Sequence, residues 1–222
     1  MNCSADATNH RSPITSHAPA GRIFCIGRNY AEHVAELGNA PDGDCLVFMK
    51  PASCIVPAGE TIHLPRGRGP VHHEAELVLR IGEAGRDIAE DDALRHVDAY
   101  GLGLDLTLRE LQSALKSRGA PWELAKAFDA SAPMGPLQPR GDEDFSSLRF
   151  ELRVNGEIRQ RGDTAQMLFP VPRLIAILSA TWTLLPGDLV YTGTPAGVAA
   201  LNSGDELVLD SKSTGPSRWM VG

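Results

Sequence analysis

Short apolar runs, each stopped by glycine, proline or a charged cluster, alternate along this chain with a few longer stretches of helical period. Arg22-Ile23-Phe24-Cys25-Ile26-Gly27 reads as a strand closed by glycine, and Arg28 to Gly38 as a short helix ended by Gly38. Leu46-Val47-Phe48-Met49 is a further apolar run, stopped at Lys50-Pro51. Residues 65–70 hold only Pro, Arg and Gly and predict a loop. Residues 71–81 have the apolar content of a strand, and residues 89–97 predict a helix with Glu90, Asp91 and Asp92 in its first turn. Leu102 to Leu106 reads as a buried strand. After it, Thr107 is placed to cap a helix running to Arg118, with Leu108, Leu111 and Leu115 at helical spacing and Gly119 past its end. Phe150 to Val154 alternates apolar and polar, Asn155-Gly156 follows, and Glu157 to Gln160 returns, which predicts a hairpin. Residues 172–185 predict one more helix, and Leu189-Val190-Tyr191 and Leu207-Val208-Leu209 late strands.

Many short strands, few helices, 22 Gly and 16 Pro point to a mixed α+β fold dominated by strands. Residues 1–20, rich in Ser, Thr, His and Pro, lack a period and read as a flexible leader. Residues 21–222 then form a single domain, since no repeat or break in composition divides them. No apolar run approaches the roughly 20 residues of a membrane helix, and the N-terminus lacks the apolar core of a secretory signal. A net charge of -7 excludes the basic footprint of a nucleic-acid surface, so an anionic ligand would need a local cation. Cys3, Cys25, Cys45 and Cys54 form no Cys-x-x-Cys pair and read as free thiols of a cytoplasmic protein.

The chemistry-bearing stretch is His72-His73-Glu74-Ala75-Glu76-Leu77. In a strand, residues two apart share a face, so Glu74 and Glu76 point the same way in apolar surroundings. Asp105, inside Leu102-Gly103-Leu104-Asp105-Leu106, is a third acid with no packing reason to be there. Buried side by side, such carboxylates need a cation, and an all-oxygen set with open positions suits Mg2+ or Mn2+. On the residues alone an equal reading stands, in which the two glutamates face solvent and Asp105 caps the following helix. His72 and His73 face opposite sides of a strand, which disfavours zinc.

Ordered along the chain are Gly27-Arg28-Asn29-Tyr30-Ala31-Glu32-His33, Lys50-Pro51, His73-Glu74-Ala75-Glu76-Leu77, Asp105-Leu106-Thr107-Leu108-Arg109-Glu110-Leu111-Gln112, Pro121-Trp122, Lys126-Ala127-Phe128-Asp129, Val154-Asn155-Gly156-Glu157, Pro186-Gly187-Asp188 and Thr192-Gly193-Thr194-Pro195-Ala196-Gly197-Val198. Together they resemble the fumarylacetoacetate hydrolase family, in its short acylpyruvate hydrolase branch, from about Gly21 to the C-terminus. Two runs depart slightly: Leu108-Arg109-Glu110-Leu111-Gln112 and Lys126-Ala127-Phe128-Asp129 stand where many relatives have Ala-Arg-Asp-x-Gln and Lys-Gly-Phe-Asp.

The resemblance implies a β roll or sandwich with a few helices, a homodimer, and Mg2+ or Mn2+ on Glu74, Glu76 and Asp105. It implies cleavage of a carbon–carbon bond in a 3-acylpyruvate such as fumarylpyruvate or acetylpyruvate, a small 2-oxo acid, with oxaloacetate tautomerisation or decarboxylation as the alternative in close relatives. It assigns His33 and Glu36, three apart on one helix face, to water activation on a closing lid, and Lys126 to the developing oxyanion with Gln112 as donor. It offers Lys50 for the same cluster, Arg28 or Arg109 for a distal carboxylate, and Thr194 for the 2-oxo acid carboxylate. Gly103 and Gly193 would let backbone approach the ligand. A metal-binding protein without catalysis is the reading from another class.

Overall fold

A computed structural model describes residues 21–32 and 44–222. The expected leader and most of the helix expected over 28–38, with His33 and Glu36, lie outside the described residues.

The central element is an eight-stranded sheet. Its order is Leu46–Pro51, Arg22–Gly27, Leu189–Tyr191, Ala75–Ile81, Val97–Leu104, Ala132–Met134 and Ile55–Pro57, with Gln138–Pro139 also paired to Val97–Leu104. Leu189–Tyr191 runs parallel to Arg22–Gly27, and Ile55–Pro57 parallel to Ala132–Met134; the other pairs are antiparallel. Alternation puts two apolar sets on opposite faces. Phe24, Ile26, Leu77, Leu79 and Leu102 join the main core. Ile23, Cys25, Val78, Leu189 and Tyr191 form a second, smaller cluster with Cys54 and Ala132. The sheet curls around that cluster: the Tyr191 hydroxyl donates to the carbonyl of Pro133, at 3.3 Å, three strands away in the sheet order.

The main core is closed by the five-stranded sheet Glu157–Asp163, Arg149–Val154, Glu206–Ser211, Ser217–Val221 and Thr61–Ile62, and by the helix Val171–Thr181. Leu152, Leu207, Leu209 and Trp219 from the sheet and Leu174, Ile175 and Leu178 from the helix are buried together. Trp219 donates its indole N–H to the carbonyl of Pro57, 3.1 Å away, tying the two sheets at one end. The expected hairpin forms with Asn155 and Gly156 at φ +53 and +81, the left-handed pair that Asn-Gly supplies.

Three expectations are corrected. The strand expected over 71–81 is two strands, Val71–His73 and Ala75–Ile81, broken at Glu74. The first belongs to a three-stranded sheet with Thr107–Leu108 and Ala199–Ala200, the second to the eight-stranded sheet, so the chain changes sheets at Glu74. The helix expected over 89–97 is a 3-10 helix, Glu90–His96. Thr107 does not cap the helix Arg109–Ser117; its hydroxyl donates to the Asp105 carbonyl, at 3.2 Å.

Leu79 is fully buried in the middle of Ala75–Ile81 and joins the main core. Leu79→Ala removes about 2–5 kcal/mol of stability. In urea it lowers the midpoint with an unchanged m-value.

Candidate metal centre

Glu74, at the break between two strands, Glu76, one residue inside Ala75–Ile81, and Asp105, one residue past Val97–Leu104, meet at one end of the curled sheet. One carboxylate oxygen from each lies within 4.8 Å of the other two, and all three residues are buried. Convergence does not come from simple strand alternation. The Asp105 N–H donates to the Glu74 carbonyl at 2.8 Å, and this bond clamps the two strand ends together.

Three cations compensate the acids, each from a different segment. Lys126, closing the short helix Glu123–Lys126, donates to Glu74 Oε2 at 2.7 Å and to Asp105 Oδ2 at 2.6 Å. Arg109, opening its helix, donates to Glu74 Oε1 and, at 2.7 Å, to Gln112 Oε1. Lys50 stands 2.8 Å from Asp105 Oδ1. Glu76 has no such direct partner among the described residues; it accepts the Gly193 N–H at 2.8 Å. Burial, then the like charges of Asp105 and Glu74, hold the Glu76 carboxyl well above the usual carboxylate range, against the Gly193 N–H and Lys126. For Lys126, burial pulls the pKa down, but Asp105 and Glu74 more than offset it, which favours the ammonium form.

A divalent ion fits these residues. Asp105 Oδ1 is buried and accepts no hydrogen bond, although an ammonium is 2.8 Å away. The N–H groups of Lys50 go instead to the carbonyls of Leu106 (3.1 Å), Ser131 (2.8 Å) and Lys126. Glu74, Glu76 and Asp105 thus offer a hard, all-oxygen donor set with a lone pair in hand. Among the described residues this is the one cluster of metal-ligating side chains. His73 turns away to Gln160, which removes the histidine pair from any zinc site. Cys25, Cys45 and Cys54 are free thiols, and burial pushes Cys45 up to about 11.

A cleft opens over the carboxylates. Arg28, Arg109, Gln112, Lys126 and Thr194 line it with the three acids, and Ile26, Phe48 and Trp122 give it an apolar wall. Most of the residues expected at the site therefore come together. Lys50 does not line the cleft; it lies behind Asp105 with its donors spent on backbone. Arg109 holds Glu74 and Gln112 rather than standing open for a distal carboxylate. The Thr194 hydroxyl already donates to the Ala75 carbonyl at 2.9 Å and accepts from Gln160 at 2.8 Å. Gly103 is bare because a side chain there would meet the Tyr191 ring at 2.8 Å, not because a ligand approaches. Gly193, at φ +101 with Asn29 against it, lets its N–H reach Glu76. Gln160, whose side chain joins Thr194 to His73 and Ala75, drew no attention in the sequence, where it read as a polar position of a hairpin.

In the metal-free protein, ionised Glu76 is a buried charge beside two others. A carboxyl with a raised pKa adds stability as pH falls through its range, the reverse of an ion-paired acid. Glu76→Gln raises the metal-free Tm at neutral pH and flattens that pH dependence. Its Mn2+ affinity falls by more than the about 10–100-fold that loss of an outer-shell partner costs. Calorimetry and thermal melts in chelator check both.

The model of the fumarylacetoacetate (FAA) hydrolase C-terminal family matches residues 22–221. The chain is 42% identical over 193 residues to the oxaloacetate tautomerase YcgM of Escherichia coli K12, covering 86% of this chain and 88% of that protein. It is 42% identical over 187 residues to the mitochondrial oxaloacetate tautomerase FAHD1 of Arabidopsis thaliana, covering 84% of each. Among solved structures, fumarylpyruvate hydrolase from Pseudomonas aeruginosa in complex with Mn2+ and pyruvate superposes with a TM-score of 0.87 at 41% identity, covering 90% of this chain and 88% of that one. A family model matched over nearly all of the described residues, relatives at 42% identity and a solved structure of the same fold agree, and the chain belongs to the fumarylacetoacetate hydrolase family.

Proposed function

We propose that this protein is a divalent-metal-dependent enzyme that interconverts the keto and enol forms of oxaloacetate, a small 2-oxo dicarboxylic acid. The observation that carries its enolate chemistry is Lys126, an ammonium that lines the cleft and is fixed by Glu74 and Asp105. Enolisation moves a proton from C3 and leaves negative charge on the C2 oxygen. A preorganised cation where that charge develops lowers the barrier. Among the described residues, two of the three Lys126 N–H groups go to carboxylates, which leaves one for the ligand. Bound on Glu74, Glu76 and Asp105, a divalent ion supplies Lewis-acid polarisation of the 2-oxo group. Arg28 receives the distal carboxylate, and His33, with Glu36 as its partner, takes the C3 proton and delivers it to the C2 oxygen, or carries it back from that oxygen to C3 in the reverse direction. The names of the bacterial, plant and mammalian relatives support oxaloacetate over an acylpyruvate.

A second reading keeps the order expected from the resemblance. It is favoured by the P. aeruginosa fumarylpyruvate hydrolase, whose structure holds pyruvate. Here the His33–Glu36 pair takes a proton from water, the hydroxide adds to the distal carbonyl, and the C3–C4 bond breaks with its electron pair left on the pyruvate enolate. Lys126 serves that enolate in the same way.

Assays with Mn2+ or Mg2+ on oxaloacetate, fumarylpyruvate and acetylpyruvate separate the two. The expected result is fast decay of enol-oxaloacetate without pyruvate release. Pyruvate and a carboxylic acid from an acylpyruvate, with no acceleration of oxaloacetate equilibration, would reverse the order. Lys126→Met lowers kcat by about 10²–10³. His33→Ala lowers it by about 10²–10⁴ and leaves Mn2+ affinity unchanged; a kcat within twofold of the wild type would remove His33 from the mechanism.

A further inference from the structure

Gln160 is a polar side chain 1% exposed, in the edge strand Glu157–Asp163 of the five-stranded sheet, and nothing in the reaction requires it. Its amide is saturated. The two Nε2 protons go to Thr194 Oγ1 at 2.8 Å and to the Pro195 carbonyl at 2.9 Å. The oxygen accepts from the Ala75 N–H and from His73 Nδ1, each at 2.9 Å. Its orientation is fixed by its partners, because the Pro195 carbonyl can only accept and the Ala75 N–H can only donate. His73 must then carry its proton on Nδ1.

These partners bracket the metal centre. His73 and Ala75 are the neighbours of Glu74, at the point where the chain leaves one sheet for another and residue 74 belongs to neither. Thr194 and Pro195 lie between the strands Leu189–Tyr191 and Ala199–Ala200, again where no ladder holds the backbone. One amide therefore joins the residues on either side of Glu74 to the Thr194–Pro195 turn, beside the direct bond from the Thr194 hydroxyl to the Ala75 carbonyl. The local backbone is shaped for it. The register between Arg149–Val154 and Glu157–Asp163 shifts between Leu152 and Arg153, so that Leu152 faces Gln160 while Arg153 faces Ile158. Arg159 is the extra residue of this bulge, and a bulge beside a site re-aims the side chain next to it. The loop after Pro195 packs directly on the same point: a Cβ on Gly197, at φ +98, would stand 2.2 Å from the Arg159 carbonyl.

We infer that Gln160 is a positioning residue that sets Glu74 against the Thr194–Pro195 turn, and so tunes both metal affinity and substrate binding. The inference rests on Glu74 as a metal ligand and, for its second half, on the oxaloacetate reading above.

Two variants separate the halves. Gln160→Leu, close in shape, loses all four bonds; Mn2+ titrated calorimetrically into the metal-free protein binds about 10–100-fold more weakly. Gln160→Glu keeps the acceptor half toward Ala75 and His73 but turns an acceptor against Thr194 and Pro195. Its Mn2+ Kd stays within a few-fold of the wild type while KM for oxaloacetate at saturating Mn2+ rises about tenfold or more. Ser179→Ala is the control: it removes a buried bond to the Ile88 N–H far from the cleft, and lowers Tm without moving either constant. If both Gln160 variants lower Tm yet leave Kd and KM within twofold, Gln160 is structural only and the inference fails. If Gln160→Leu does not fold, the KM-against-Kd split in Gln160→Glu decides alone. A weakened Mn2+ Kd in a protein that leaves oxaloacetate untouched would uphold the positioning role and overturn the proposed reaction instead.

Discussion

Three carboxylates forced together out of water are the constraint on which this structure turns. Each buried ion costs several kcal/mol unless it is paired and hydrogen-bonded, and like charges add to the cost. The chain meets that cost from three directions: Lys50 from a strand of the central sheet, Arg109 from the first turn of one helix, and Lys126 from the end of another. Fold and site are therefore not separable here. The segments that carry the cations can dock only where the acids are, and the acids are tolerable only once those segments have docked.

The three cations do different work because their donors go to different places. Lys50 has three N–H groups, and three backbone carbonyls take them; what reaches Asp105 is charge at 2.8 Å, not a hydrogen bond. It therefore fixes the backbone around Asp105 and Lys126 and leaves an oxygen of Asp105 in hand for an ion. Lys126 spends two N–H groups on carboxylates and faces the cleft with what remains. Two lysines in equivalent sequence settings, each beside an apolar segment, thus divide into a framework residue and a cleft-facing one. Only the placement of nearby carbonyls distinguishes them.

That division also marks what the sequence could and could not reveal. The hairpin at Asn155-Gly156, the strands through Ile23, Leu79 and Leu207, and the helices around Leu115 and Leu174 follow from period and turn chemistry, which are local. The two-residue spacing of Glu74 and Glu76 is legible in the same way, but their convergence with Asp105 is not: the strand breaks at Glu74, and the bond from the Asp105 N–H to the Glu74 carbonyl brings the third acid in. Lys126 and Arg28 were legible only through an ordered set of motifs, since one lysine or one arginine carries no spacing signal. Gln160 was not legible. A one-residue bulge at Arg159 changes which face a side chain takes, and no local pattern announces it. The sole trace was a hairpin strand in which an exposed arginine on either side leaves the intervening glutamine on the buried face.

The charge balance of the pocket bears on the kind of ligand it takes. Glu74, Glu76 and Asp105 face Lys50, Lys126 and Arg109, so this cluster of six is near neutral when all are ionised, and Arg28 and Lys116 add positive charge along the cleft. A divalent ion adds two positive charges to a site already compensated, and a doubly negative 2-oxo acid cancels them. On the proposed reading, ion and substrate each remove the electrostatic objection to the other, which couples their binding free energies reciprocally. A protein of net charge -7 can hold a dianion on these terms, because the local balance at the cleft, and not the sum over the surface, sets the potential that the ligand meets.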